Sequence, residues 1–401
     1  MRFRPEVLGV TESPLLVIGA LAEQMPGSIK LCYGESDAPT PDFICQAADD
    51  ALRAGHTFYT HTAGYSELRD AIAGKVNELH GTSYRGAEVM STVGASMAIY
   101  AAARACLGPG DNAVIISPAY SIFVNATIIA GAEPRAVPLA AAPHGFHLDM
   151  DRVRAAIDER TRMLMINSPN NPTGWIISDR EQTELLELAT RHDVMILSDE
   201  VYERIVYGRA IVPSFARAAM AAGALDHLIV GNSFSKTYNM TGWRLGWAQS
   251  TEPVIRAMHT AAEFMTSSAT AMVQQAGIVA LRDGEPFVAC LRATYERRRD
   301  LVVRELSSMP GLSLMVPDGA FFAFARVEGL VDSTTFCAEL LRDAGVALTP
   351  GVAFGESGEG FVRLCFASNE TMLSDALDRI RRFMERRASA SAPVRAGVSF
   401  G

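Results

Sequence analysis

Short apolar runs recur along this chain between segments of helical length, and that alternation restricts its fold more than any other feature. Ala113-Val-Ile-Ile116, Arg162-Met-Leu-Met-Ile166, Val194-Met-Ile-Leu197 and Leu228-Ile-Val-Gly231 are too short for helices and read as strands. Helical signals separate them, as in the stretch from Ser178 to about His192, which opens on a Ser178/Glu181 capping-box pattern. Strands alternating with helices imply an α/β architecture with a mostly parallel sheet between helices. In such open sheets ligands bind beyond the carboxyl ends of the strands. Here those ends carry Ser117-Pro-Ala-Tyr120, Asn167-Ser-Pro-Asn-Asn-Pro-Thr-Gly174 and Ser198-Asp-Glu-Val-Tyr202.

Other helices are expected at Pro14 to Gln24, at Asp42 to Ala54, after Ser66 as a cap, and through residues 253 to 309. The last of these is broken at Ser267-Ser268 and Asp283-Gly284. Arg292, Arg297, Arg298 and Arg299 then read as a solvated helix face. Beyond about residue 310 strands return, Ala320 to Ala325 and Gly360 to Ala367, with helices at Ser333 to Ala344 and Glu370 to Arg387. Residues 388–401, rich in Ala, Ser and Gly, read as a loosely ordered tail.

A net charge of -9 argues against a nucleic-acid surface, and no apolar run reaches the length of a membrane span. The six cysteines are scattered without a Cys-x-x-Cys pair, and the histidines lack a His-x-x-x-His pair. This suits reduced thiols in a cytoplasmic protein with no metal site.

The chemistry centres on Ser233-Phe-Ser-Lys-Thr-Tyr-Asn-Met-Thr-Gly-Trp-Arg-Leu-Gly246. Lys236 lies between two apolar strands, with Ser233, Ser235 and Arg244 near it in sequence. A lysine beside apolar strands is either a surface residue on a connecting loop or a deprotonated amine able to react with a carbonyl. Two serines and an arginine suit a phosphate. Val93-Gly-Ala-Ser96 opens an alanine-rich helix, whose unpaired amides at Gly94, Ala95 and Ser96 would serve an anion equally well.

The order Ser-x-Ser-Lys, then Met-x-Gly-x-Arg-x-Gly, resembles the lysine signature of the class I/II aminotransferases, pyridoxal-phosphate (PLP) enzymes of fold type I. The matching positions extend from about residue 30 to 370. The resemblance implies a large PLP-binding domain of residues 46–285, with a mostly parallel sheet sandwiched by helices. It implies a smaller α+β domain formed by both chain ends, residues 1–45 and 286–387. By the same resemblance Lys236 supplies the amine for the cofactor aldehyde and Asp199 pairs with the ring nitrogen. Asn171 and Tyr202 would serve the phenolic oxygen, and Tyr120 would stack on the ring. Ala95, Ser96, Ser233, Ser235 and Arg244 would cup the phosphate, joined by Tyr59 from the partner subunit of a homodimer. Arg363, in Phe-Val-Arg-Leu, would grip the substrate α-carboxylate beside the Gly34 backbone and Asn171, with Tyr33 bordering the side-chain pocket. Unaided, Arg363 reads as a strand arginine in a surface salt bridge. Ser36 departs from the proline usual in its motif.

The implied reaction moves an amino group between an L-amino acid and a 2-oxo acid. Dicarboxylate-specific relatives add a lysine at the position of Ser96 or an arginine around Glu263 to Ala269, and this chain has neither. Neutral side chains are therefore favoured, with Glu263 read as a solvated helix residue. Elimination or γ-chemistry on the same scaffold is the alternative within enzymes. A ligand-sensing regulator is disfavoured, because nothing precedes residue 31 with room for a DNA-binding domain.

Overall fold

The computed structural model describes residues 3–10, 13–142, 145–209 and 211–391. Its centre is a seven-stranded sheet made of β1 (Val89–Thr92), β2 (Asn112–Ser117), β3 (Glu133–Pro138), β4 (Thr161–Asn167), β5 (Met195–Asp199), β6 (Leu228–Ser233) and β7 (Gly246–Gln249). The order across the sheet is β1-β7-β6-β5-β4-β2-β3. All neighbours are parallel except β7, which runs antiparallel to both β1 and β6.

Successive side chains on a strand point to opposite faces, and here both faces are buried. Val114, Ile116, Leu164 and Ile166 enter one core, while Ala113, Ile115, Met163 and Met165 enter the other. A parallel sheet covered on both sides needs continuous apolar runs rather than alternation, which is why these strands are legible in the sequence.

Four helices position the site: α1 (Pro14–Glu23), α2 (Gly94–Cys106), α3 (Ile122–Ala130) and the single turn α4 (Phe234–Thr237). Helix α2 turns Ala98, Ala101, Ala102 and Ala103 onto the sheet, their small side chains allowing close approach. The strand β7 comes closer still. A Cβ on Gly246 would collide with the carbonyl of Asn232 and with backbone atoms of Gly94 and Ala95.

A second, antiparallel sheet has the order β8-β9-β11-β10, from β8 (Leu312–Leu314), β9 (Phe322–Val327), β10 (Thr349–Pro350) and β11 (Phe361–Cys365). Its core joins residues from both ends of the chain, Ile18, Leu31 and Cys32 with Phe322, Leu340 and Leu364. Ile29–Lys30 also pairs in parallel with Val346 and Ala347.

Three local expectations are corrected. Ser66 is the first helical residue, not a cap, and its hydroxyl bonds Glu67 instead of a free backbone amide. Arg298 and Arg299 do not face solvent. Arg298 pairs with Asp37, and Arg299 lies 4.5 Å from the Tyr207 ring centroid, so both cover the small-sheet core. Glu370–Ser391 is one helix, so the tail expected from residue 388 is helical to Ser391, and 392–401 lies outside the described residues.

The approach at Gly246 generates a stability prediction. Gly246→Ala should cost about 3 kcal/mol, since backbone on both sides has no room to yield. Gly242→Ala meets nothing within 4 Å and should be nearly neutral. Denaturant midpoints of the two variants make the comparison, and equal midpoints would refute it.

Candidate active site

The carboxyl ends of β2, β4, β5 and β6 open onto a cleft of about 550 Å³. Lys236 enters it from α4, which exists because Ser233 caps it: the Ser233 hydroxyl accepts from the Ser235 amide at 3.0 Å and donates to the Ser235 hydroxyl at 2.8 Å. The lysine amine donates to the Gly34 carbonyl at 2.6 Å. Burial lowers its pKa to about 8, so the neutral amine is within easy reach near physiological pH.

Arg244 takes a left-handed backbone conformation, φ 55°, an unfavourable state for a long side chain. The strain sets its guanidinium against Gly94, where any Cβ would strike it. Gly94 itself has φ +73°, a conformation that favours glycine, and a side chain there would also have to displace the guanidinium. Ala95 and Ser96 in the first turn of α2, Ser233, Ser235 and Arg244 thus line one end of the cleft. No carboxylate pairs with Arg244 among the described residues.

Asp199 ends β5, 6% exposed, and among the described residues its carboxylate accepts only from the Val201 amide, at 3.2 Å. Burial raises its pKa to about 7, with the neighbouring charge of Glu200 adding to the effect. A cation placed against it would restore its charge. The strand register puts Asn167 opposite Asp199. From there Asn167 donates to the Asp199 carbonyl at 2.9 Å and accepts from the Asn171 amide at 2.7 Å. Tyr202 is buried, edge-on to Phe321 and Phe322, and burial holds its phenol well above its ordinary pKa.

Arg363 is 2% exposed. It donates to Asn171 Oδ1 at 3.0 Å, to Thr349 Oγ1 at 3.0 Å and to the Cys32 carbonyl. Its carbon lies 4.4 Å from the Phe322 ring centroid and 5.0 Å from that of Phe354. Its Nε has no partner, and among the described residues no carboxylate opposes it. A buried guanidinium held only by neutral acceptors is costly, and a ligand carboxylate in the cleft would complete it.

Lys236, Asp199, Tyr202, Asn171, Gly34, Ala95, Ser96, Tyr120, Ser233, Ser235, Arg244 and Arg363 all line the one cleft. Tyr33 does not. Its hydroxyl lies where a Cβ on Gly19 would sit, because the backbone that turns Gly34 toward the cleft turns the preceding side chain toward α1. Tyr59 is 93% exposed and lies outside its own chain's cleft. Glu263 is exposed. Asn167 was not anticipated, and neither were Ser13, Leu15 and Leu16 of the α1 segment, nor Ser121 and Asn125 at the start of α3. Only the strand-end position of Asn167 could have signalled it.

A separate buried group joins His80, Glu200 and Glu203. Glu203 bonds His80 at 2.8 Å, while Glu200 accepts from Ser198, Ser214 and the Phe215 amide.

The cleft's donors fit PLP by their chemistry. Two hydroxyls, a guanidinium and a helix start suit a phosphate, an unpaired buried carboxyl at the other end suits a protonated ring nitrogen, and an amine of lowered pKa lies between them.

The family description "Aminotransferase class I and II" matches residues 26–380. An aromatic-amino-acid aminotransferase 2 of Thermococcus litoralis is 35% identical over 382 residues, covering 94% of this chain and 97% of its own length. An aspartate aminotransferase of Rhizobium meliloti strain 1021 is 36% identical over 397 residues, covering 94% and 95%. Among solved structures, an aspartate aminotransferase from Rhizobium meliloti superposes with a TM-score of 0.90 at 35% identity, over 96% of this chain and 99% of its own. An N-succinyldiaminopimelate aminotransferase from Mycobacterium tuberculosis gives a TM-score of 0.90 at 32% identity, over 95% and 100%.

Glu200, buried just beyond the end of β5, generates a pH prediction. Burial raises Glu200 to about 7. The folded protein therefore keeps a proton that the unfolded chain releases above the ordinary carboxylate pKa. Its stabilising effect is complete below about pH 4.5 and is lost as pH rises through about 7. In Glu200→Gln the proton is not needed, so melting temperatures from pH 5 to 8 should fall less steeply than in the parent. An unchanged or steeper slope would refute the assignment.

Proposed function

This chain belongs to the class I and II aminotransferases, and we propose that its amino donors are L-amino acids with neutral side chains and its acceptors 2-oxo acids. It is a PLP-dependent aminotransferase. When bound, PLP supplies a carbonyl for the donor's amine and a ring that accepts the electrons left when the α-proton departs.

The chain's own residues have separable tasks in this reading. Arg363 holds the α-carboxylate bidentately, which fixes the substrate's Cα in the cleft. Lys236 Nζ, freed from the Gly34 carbonyl, takes the Cα proton, and its depressed pKa of about 8 suits a base near neutral pH. Asp199 would keep a proton on the ring nitrogen, its own carboxyl regaining charge against that cation. Asn171 and Tyr202 would bond the phenolic oxygen. Ser233, Ser235, Arg244 and the α2 amides of Ala95 and Ser96 would hold the phosphate, and Tyr120 would stack on the ring.

The observation that carries the reading is the buried Arg363 without an acid. Among the described residues no lysine or arginine lines the cleft apart from Lys236, Arg244 and Arg363, while Val10, Leu15, Leu16 and Ile99 do. That lining favours neutral donors over dicarboxylates. We further infer a cytoplasmic homodimer. Phe58, Tyr59 and Phe264 are large apolar side chains left exposed on the single chain, and Tyr59 would reach the partner's phosphate site. The small domain, residues 1–45 with 286–387, would close on the substrate over the large domain, 46–285.

Arg363→Ala should weaken kcat/KM for every donor alike. The loss of a desolvated charged pair is about 2–5 kcal/mol, at least about thirtyfold in rate. In the parent, a donor panel with 2-oxoglutarate and pyruvate should rank neutral amino acids above aspartate. Aspartate as the best donor would overturn the specificity reading while leaving aminotransferase activity intact.

The dimer reading is tested with mixed chains, one carrying Lys236→Ala and the other Tyr59→Phe. Each hybrid contains one site with Lys236 from one chain and Tyr59 from the other. That site should bind the cofactor with parental affinity. Verified hybrids without recovery would place Tyr59 outside the partner's site.

A further inference from the structure

A second cavity, of about 560 Å³, lies against the catalytic cleft. Its walls come from the end of β3 at Ala136 and Pro138, from Val124 on α3, and from the turn carrying Val352 and Phe354. Three residues line both cavities: Ser13, ahead of α1, and Ser121 and Asn125, at the start of α3. The divide between the two spaces is therefore a row of small polar side chains rather than a packed apolar wall. Neither serine caps the helix that follows it. Among the described residues the side-chain amide of Asn125 and both serine hydroxyls have no hydrogen-bond partner. Polar groups left open at the junction of two cavities are suited to contact something that passes between them.

The lining also restricts what could pass. Among the described residues neither lysine nor arginine lines the second cavity, and the one ionised residue that does is the exposed Glu356. A distal carboxylate or phosphate would enter without a cation and beside an acid. Ser117, itself buried, bonds Ser357 at 3.0 Å, so these two hydroxyls are already engaged and the remaining surface is chiefly hydrocarbon.

We propose that this cavity is a distal subsite of the active site, taking the far end of an amino donor whose side chain is long, uncharged and mostly hydrocarbon. The proposal rests on the neutral-donor reading and extends it. With the α-carboxylate on Arg363 and the amine toward Lys236, the side chain is the only part of a donor free to leave the cleft. It crosses between Ser13 and Asn125, where an amide or hydroxyl along the chain finds open partners, and its end lies against Val124, Pro138 and Phe354. Each methylene that reaches the cavity should improve kcat/KM about fourfold.

The test uses the PLP-loaded enzyme and unbranched L-2-amino acids from 2-aminobutyrate to 2-aminodecanoate. The expected result is a rise in kcat/KM over the longer chains, and loss of that rise in Val124→Trp, whose ring fills the second cavity. Straight-chain alkanoates titrated into the same protein by calorimetry give an independent reading, because their carboxylate anchors on Arg363 without turnover. Affinity should climb from butanoate to decanoate in the parent and level off in Val124→Trp. If no donor reacts, the reading of the function fails, and the alkanoate series still decides the subsite. Short donors turned over with no gain for longer ones, together with a flat alkanoate series, would overturn the subsite alone. A preference for side chains ending in an amine or guanidine would overturn the uncharged class, and would point to Glu356 as the reason.

Discussion

A guanidinium buried without an acid sets the terms for the rest of this structure. Arg363 is anchored by Asn171, Thr349 and the Cys32 carbonyl, all neutral, and two aromatic rings close over it. Three parts of the chain must therefore meet: the segment after Ile29, the loop beyond β4, and the small sheet. The string of bonds continues from Asn171 through Asn167 to the backbone of Asp199. The acid expected at the cofactor ring and the arginine expected at the substrate are thus tied through two asparagines. The Ser168 amide, on the same Asp199 carbonyl at 3.1 Å, and the pairing of β4 with β5 reinforce that tie.

The lysine end is built on another principle. Ser233 caps a single turn of helix, and that turn exists to aim one side chain. Nearby, Gly94 and Gly246 remove the Cβ atoms that would keep α2, β7 and Arg244 apart. Close backbone approach and a left-handed arginine carry conformational cost, and the long apolar strands of the two-faced sheet supply the stability that offsets it. Rigidity at this end and hydrogen-bonded linkage at the other give a cleft whose charged groups, Lys236, Asp199 and Arg363, are all held out of bulk water. Each is shifted by burial in the direction that favours its neutral form, and each is relieved by a ligand of opposite charge or reactivity.

Much of this was legible before any coordinates. The strands at 113–116, 162–166, 194–197 and 228–231 read correctly because a sheet buried on both faces requires uninterrupted apolar runs. The capping box at Ser178 and Glu181 was equally plain and forms as expected, because capping is local. Where local rules failed, a tertiary partner had intervened. Ser66 became the first helical residue while Gln274 accepts the Tyr65 amide, a contact 209 residues away. Arg298 and Arg299 look like solvated helix charges until Asp37 and Tyr207, from distant elements, are brought beside them.

The sequence by itself determined the α/β alternation, the strand-end positions of Asp199 and Lys236, and the glycine-opened helix at Gly94. These are properties of neighbouring residues, fixed by periodicity, caps and the absence of a side chain. Only the tertiary structure decided that Arg363 meets no acid among the described residues, that Asn167 links two halves of the site, and that Tyr33 turns away while Gly34 faces in. It also decided that Ser13, Ser121 and Asn125 stand together between two cavities. Such facts depend on which side chains from remote segments share one small volume, and on which polar groups find no partner there. Burial and hydrogen-bond satisfaction are sums over the whole fold, so no window of sequence contains them.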